Sequence, residues 1–329
     1  MGNNQRVCVT GASGRIGRHL VARLVADGYA VRAITSQPVT GQRDADGVEW
    51  MQHDFRRSLD FSAAVADCAA VLHLAAEIWR ISEMERVNVE ATTALARDAA
   101  AAGVRYFGFT SSVAVYGSAR QASVTENTPV LTADRDIASE YRGTPSVRAY
   151  GRSKVRCEQA LASELGGIEC TIMRPTVVVD LNDIRAMLGR SAFERIVLAR
   201  RHEHMIYLLD VVNALVWFMR RALERPSPET GVSVFNLSDD ESAIGTSAAF
   251  FARAAQISGK GIGADRFHAP YFVYDFLDLA KNRTISNRKA LGGMFYSSEA
   301  LRATGYRHLY GMEKALDIAL SADVAAKTS

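Results

Sequence analysis

The stretch RVCVTGASGRIGRHLVARLVADG near the N-terminus constrains the fold more than any other part of this chain. Residues 6–10 form a short run rich in β-branched side chains. Gly11, Gly14 and Gly17 follow, and Ile16, Leu20 and Leu24 then recur every four residues, as one face of a helix does. Strand, glycine turn and helix in this order are what a dinucleotide-binding unit needs. The first glycine lets the chain leave the strand sharply. The second admits a pyrophosphate close to the backbone, the third packs helix against sheet, and the anion then sits at the positive end of the helix. The spacing is G-x-x-G-x-x-G rather than the commoner G-x-G-x-x-G, so the placement between strand and helix carries the reading.

The rest of the first half alternates in the same way. A second strand is expected over residues 29–34, entered through the Asp27-Gly28 helix stop. Asp60 is placed to cap a short helix over residues 61–68, and residues 70–75 read as a continuous apolar strand. Residues 85–102 are alanine-rich and predict one helix closing at Gly103, followed by strands over 104–110 and 169–174. Strands joined by helical crossovers predict an α/β, doubly wound parallel sheet of Rossmann type over residues 1–175. Residues 176–329 are expected to form mainly a smaller substrate-binding lobe over the sheet's carboxyl edge, with some elements returning to the sheet. In that part, helices are expected over 191–201 and 210–223, the latter ended by Pro226 and Pro228. A strand-like run follows over 232–237, with a glycine-rich turn at 259–263. Residues 117–147 break the rhythm; a polar loop of that length inside a domain is usually functional.

Composition narrows the partners. A net charge of +3 over 329 residues is too small to imply nucleic acid. No apolar run is long enough for a membrane span, and the N-terminus lacks a signal-peptide pattern, so no membrane partner and a cytoplasmic location are expected. Cys8, Cys68, Cys157 and Cys170 have neither metal nor redox spacing. Cys8 and Cys170 read as buried thiols, and no metal is expected.

The chemistry is carried by PSVRAYGRSKVRCEQAL. Tyr150 and Lys154 lie four apart in a helical run, so phenol and ammonium share a face. A nearby ammonium is expected to lower a phenol's pKa and make it a proton donor and acceptor for a carbonyl–alcohol interconversion. Ser111 and Ser112 end the strand in FGFTSSVAVYG, where a hydroxyl can hydrogen-bond the same substrate oxygen.

Together these residues resemble the extended short-chain dehydrogenase/reductase family, which includes sugar-nucleotide epimerases and dehydratases. The resemblance runs through TGASGRIG, HLAA at residues 73–76, VNVEAT with Asn88, SSVAVYG, Tyr150-x-x-x-Lys154, MRP at 173–175 and YLLDVVNAL around Asp210. It implies that Gly11, Gly14 and Gly17 hold the pyrophosphate of a cofactor, with Ser13, Arg15 and Ile16 also cofactor-binding. Asp54 and Phe55 would lie at the adenine, with Leu74, Ala75 and Ala76 in the cofactor pocket. Asn88 would be a structural residue near the lysine. Ser112 would be the catalytic hydroxyl and Tyr150 the acid–base, both touching substrate; Lys154 would also hold the nicotinamide ribose. Pro175 and Thr176 would pass beside the nicotinamide. Glu126 matches a family acid in the long loop. A homodimer through the Asn88 and Tyr150 helices is also implied.

The second strand ends in Thr35, Ser36 and Gln37, with no acid there to bind ribose hydroxyls and repel a 2′-phosphate. With Arg15 and Ser36 as contacts and Arg43 nearby, NADP is preferred over NAD. The substrate is a small molecule, read first as a sugar or sugar nucleotide and alternatively as a ketone on a non-sugar metabolite. The run RPTVVVDLND departs from the family's diphosphate pattern, while Arg190, Arg195, Arg200 and Arg201 offer phosphate ligands. Val113 and Ala114 stand where dehydratases place an acidic pair. Aromatic substrate contacts from residues 272–279 are a further expectation, beside core or interface packing.

Overall fold

The computed structural model describes residues 5–39, 47–117, 122–132, 145–200, 202–225, 231–258, 270, 272, 273, 276, 279, 280 and 295–327, leaving out the side chains of 197 and 322–327. In chain order the elements are β1 (Arg6–Thr10), α1 (Arg15–Ala26), β2 (Ala30–Thr35), β3 (Glu49–Gln52), α2 (Ser62–Val65) and β4 (Cys68–His73). Next come α3 (Ile81–Met84), a π-helical turn (Glu85–Glu90), α4 (Ala91–Ala101), β5 (Tyr106–Thr110), a 3-10 turn (Val113–Tyr116) and β6 (Ser123–Val124). α5 (Pro145–Glu164), β7 (Glu169–Pro175), β8 (Val177–Val179), α6 (Leu181–Leu188), α7 (Ala192–Leu198) and β9 (Met205–Tyr207) follow. The chain continues through α8 (Leu208–Glu224), β10 (Gly231–Leu237), α9 (Ser247–Ser258) and β11 (Phe295–Tyr296) to helices Glu299–Ala303 and Gly311–Lys327. Arg43, Arg201, Pro226, Pro228, the 259–263 turn and about half of the 117–147 and 272–279 segments lie outside the described residues.

Two compact units result. The first comprises Met1–Ser118, Thr128–Pro175 and Val212–Phe235; the second comprises Ala119–Asn127, Thr176–Val211 and Asn236–Ser329. The central sheet runs β10-β7-β5-β4-β1-β2-β3. Its pairings from β3 through β7 are parallel, which is the doubly wound order with β1 at the switch point. Its strands are near-continuous apolar runs because both faces are covered. Val71, Phe107, Phe109, Cys170 and Ile172 from the sheet meet Leu95, Ala96, Cys157 and Leu161 from α4 and α5 in one core.

The helix expected over 85–102 is not one α-helix: it starts as a π turn at Glu85–Glu90. Asn88 O accepts from Cys157 Sγ (3.3 Å), while its side chain reaches Glu77 and Ser153. The short helix after Asp60 spans only Ser62–Val65, yet Asp60 Oδ1 still accepts from Ser62 N at 3.0 Å.

The second unit has its own core around Ile184, Tyr207, Phe250, Leu316 and Ala319. Asp210, fully buried, accepts backbone N–H groups from Leu309, Tyr310 and Gly311 and so holds the start of helix Gly311–Lys327. Glu126 accepts from Asn236 N at 2.6 Å. All four cysteines are free and buried. Among the described residues no helix is long and apolar enough to cross a membrane, and no group of three or more His, Cys, Asp or Glu residues can hold a metal ion.

Candidate active site

In a parallel sheet the strand ends gather along one edge, and in the first unit the chemistry-bearing residues gather there. β1 leads into the glycine turn. Gly11 adopts φ +67°, which an L side chain resists. A Cβ there would lie 2.8 Å from Ala75 N, and one at Gly17 would lie 2.1 Å from Gly11 O. The turn therefore admits no side chain at either position and opens at the N-terminus of α1, whose first turn carries no acid. Backbone N–H groups and a positive helix end without a competing carboxylate suit a phosphate group.

Ser13 and Arg15 are exposed and Ile16 is partly buried on this turn. Ser13 Oγ meets Thr35 Oγ1 at 2.8 Å, tying the turn to the end of β2, where Ser36 is exposed. Leu74, Ala75 and Ala76 follow β4, and Thr10 Oγ1 accepts from Leu74 N and Ala75 N, each at 3.3 Å. His73 fixes that hydroxyl through Nδ1 (2.6 Å) and uses Nε2 on Thr92 Oγ1 (2.9 Å). Burial, then the Lys154 charge, holds His73 at about 3, so it is neutral near pH 7.

Asp54 is engaged with Arg56 through both carboxylate oxygens, and hydrogen bonding to that guanidinium lowers its pKa. Phe55 is buried edge-on against Phe61, their centroids 4.9 Å apart, and is a core residue here. Pro175 ends β7; Thr176 belongs to the second unit and donates its N–H to Leu237 O at 3.0 Å.

The catalytic candidates sit on α5 and just beyond the end of β5. Pro145 begins α5, as a residue with no N–H to leave unpaired does well. Lys154 is 1% exposed, and its Nζ donates to Thr110 O at 2.8 Å while lying 4.4 Å from the centroid of the Phe109 ring. Burial lowers it to about 8, opposed by the Glu158 carboxylate. Ser112 caps the 3-10 turn, its side chain accepting from Ala114 N at 3.1 Å. Ser111 is buried and its hydroxyl is engaged by Glu158 at 2.5 Å, which separates the roles of the two serines.

The expectation that Lys154 lowers the Tyr150 pKa is corrected by the structure. Burial raises the phenol above its ordinary value. The ammonium lies over the Tyr150 ring, 5.7 Å from its centroid, and is held by Thr110 O. Tyr150 is therefore a protonated phenol at neutral pH.

Two features, Gly151 and the Glu158–Arg174 pair, escaped the sequence reading, whereas Asn88 is found near the lysine as a structural residue. Gly151 lets α5 approach the Ser112 turn, since a Cβ there would lie 2.4 Å from Ala114 O. Asn88 ties the loop after β4 to α5: its Oδ1 accepts from Glu77 N (2.7 Å), and its Nδ2 donates to Glu77 O and to Ser153 Oγ, each at 2.9 Å. A buried Glu158–Arg174 pair lies one helical turn beyond Lys154. In the second unit, Arg190 is engaged by Glu203 at 2.8 Å, Arg195 donates to Arg190 O at 2.8 Å, and Asp180 caps α6.

Residues 7–237 match the model of the NAD dependent epimerase/dehydratase family. Cinnamoyl-CoA reductase 1 of Oryza sativa subsp. japonica is 30% identical over 190 residues, 54% of this chain and 54% of that protein. UDP-glucose 4-epimerase of Vibrio cholerae is 28% identical over 184 residues, 52% of this chain and 51% of that protein. The chain spans about half the length of the curated relatives it matches. A short-chain dehydrogenase/reductase superfamily protein from Agrobacterium tumefaciens, solved with bound NAD, shares the fold. Its TM-score is 0.65 at 23% identity, covering 98% of this chain and 99% of that one.

Proposed function

The chain belongs to the NAD dependent epimerase/dehydratase family, and we propose that it interconverts a secondary alcohol and a ketone by hydride transfer, with Tyr150 as the acid–base. The observation that carries this reading is the shared position of Tyr150, Lys154 and Ser112. α5 presents the first two beside the end of β5, where Lys154 is fastened to Thr110 O. When bound, a nicotinamide dinucleotide would supply the hydride acceptor or donor, with the turn of Gly11, Gly14 and Gly17 and the N-terminus of α1 holding its pyrophosphate. Tyr150 gives its phenolic proton to the substrate oxygen in reduction and takes it back in oxidation. Ser112 hydrogen-bonds that oxygen, and Lys154 steadies the charge that forms on the phenol.

NADP is accepted alongside NAD and is preferred. No carboxylate stands at the end of β2 among the described residues, and Ser36 and Arg15 are exposed there. The first reading of the substrate is a sugar or sugar nucleotide, taken by an epimerase or ketoreductase of the kind named among the relatives. The second is net reduction of a ketone on a non-sugar metabolite, as the printed name of the cinnamoyl-CoA relative suggests. It is favoured by the engagement of Arg190 and Arg195 within their own unit and by Ile78, Trp79 and Ile81, which are 40%, 71% and 50% exposed after β4. The same reading carries a homodimer packed through α4 and α5, which light scattering checks.

Mass spectrometry of nucleotide released from freshly denatured protein tests the cofactor and separates the reaction types. Freely exchanging NADP, or an empty site that binds NADP in calorimetry, fits a net reductase. Tightly held NAD fits an epimerase and removes the NADP preference. Failure to bind either dinucleotide overturns the reading.

A further inference from the structure

Glu158 lies one helical turn beyond Lys154 on α5, so the two side chains share a face. Both are buried, at 8% and 1% exposure. Three donors fix the Glu158 carboxylate. Ser111 Oγ and Arg174 Nε reach Oε1 at 2.5 and 3.0 Å, and Arg174 Nη2 reaches Oε2 at 2.5 Å. Arg174 also donates through Nη1 to the Tyr116 hydroxyl at 2.8 Å, and its guanidinium carbon lies 4.9 Å from the centroid of that ring. Ser111 immediately precedes Ser112, and Tyr116 closes the 3-10 turn that Ser112 caps. The carboxylate is thus joined to both ends of the turn bearing the catalytic hydroxyl, and to the end of β7.

We propose that Glu158 is a positioning residue acting through Lys154: its carboxylate, pinned by Ser111 and Arg174, is the counter-charge that keeps the buried ammonium in place beside Tyr150. The other groups facing Lys154 are uncharged at neutral pH. His73 on β4 is neutral, the Cys157 thiol is held protonated by burial, and Tyr150 is a neutral phenol. Thr110 O and the Phe109 ring supply dipole and quadrupole, not net charge. Of these groups Glu158 alone carries an anion; its oxygens are engaged by Ser111 and Arg174, and it faces Lys154 along the shared side of α5 without touching it. A buried ion pair is weak evidence for stability taken by itself. A pair aimed at a buried lysine has a second use, because an ammonium without a counter-charge gives up its proton when desolvated.

The inference rests on the proposed role of Lys154, and its test needs no substrate. The chain has six lysines, so the full-length protein labelled with [13C]lysine gives a countable set of side-chain signals, and Lys154→Arg assigns the one of interest. The wild-type Lys154 signal should titrate near pH 8. In Glu158→Gln its midpoint should fall by about half a pH unit or more. Glu164→Gln, on the same helix but in an exposed pair with Arg97, should leave it unchanged. If Glu158→Gln does not fold, Glu158→Asp, which keeps the charge but withdraws it by one methylene from the helix face it shares with Lys154, is measured instead, and its Lys154 midpoint should also fall. An unchanged midpoint in whichever variant folds overturns the proposal. A shifted midpoint in a protein that shows no Tyr150-dependent turnover would leave the coupling standing and remove the catalytic reading, so the two fail separately.

Discussion

Lys154 donates to the carbonyl oxygen of Thr110 at 2.8 Å, fastening α5 to the end of β5 two residues before Ser112. Because burial holds Lys154 at about 8, its ammonium is present through neutral pH and lost just above it. Turnover in the reduction direction should therefore fall on the alkaline side with a midpoint near pH 8. A pH–rate profile that stays flat to pH 10, the ordinary lysine range, would contradict this.

The same group makes stability depend on pH with a fixed sign. An unfolded lysine keeps its proton to about 10.5, whereas the folded one releases it at about 8. Between those values the unfolded chain binds more protons, so stability contributed by this site rises with pH; below about 8 its penalty is full and constant. His73 acts at the other end. Its folded value of about 3 lies below the ordinary 6.5, so stability present above 6.5 is lost as pH falls toward 3. Urea unfolding of wild type and His73→Gln across this range checks the second statement; the acid-side slope should be shallower in the variant.

Gly151→Ala should impair the reaction more than cofactor binding. A methyl group there would meet Ala114 O at 2.4 Å, so either α5 or the Ser112 turn must move. Displacing Ser112 from Tyr150 by about an ångström should cost roughly a hundredfold in kcat, with NADP affinity by calorimetry nearly unchanged. Equal losses in both would place the strain elsewhere.

Asp210→Ala should destabilise the second unit without touching the reacting groups. The carboxylate accepts three backbone N–H groups at 2.8 to 3.0 Å in a fully buried position. Leaving them unpaired should cost about 3 kcal/mol or more, read as a lower urea midpoint.

What the sequence made legible was the part written in local spacing. Gly11, Gly14 and Gly17 lie between strand and helix, and Tyr150 and Lys154 lie one helical turn apart, so short-range periodicity is enough to place them. Glu158 and Arg174 meet across sixteen positions in different elements, and nothing in either local pattern announces the other. The pairing of Asp54 with Arg56, two residues on, is likewise absent from the local pattern. The π turn at Glu85–Glu90 was hidden because its alanine-rich continuation has the composition of an ordinary helix. The Tyr150 phenol was misjudged for a related reason: proximity to Lys154 is visible in spacing, whereas burial depends on the whole packed unit.

The most direct test of the central claim compares wild type with Tyr150→Phe for NADPH- and NADH-linked turnover on a panel of UDP-sugars and aromatic and alicyclic ketones. The wild type should turn over at least one panel member, and the phenylalanine variant should lose about a hundredfold or more of that rate while keeping its fold and dinucleotide binding. Wild-type turnover left intact by Tyr150→Phe would contradict the assignment of Tyr150 as the acid–base and, with it, the proposed reaction.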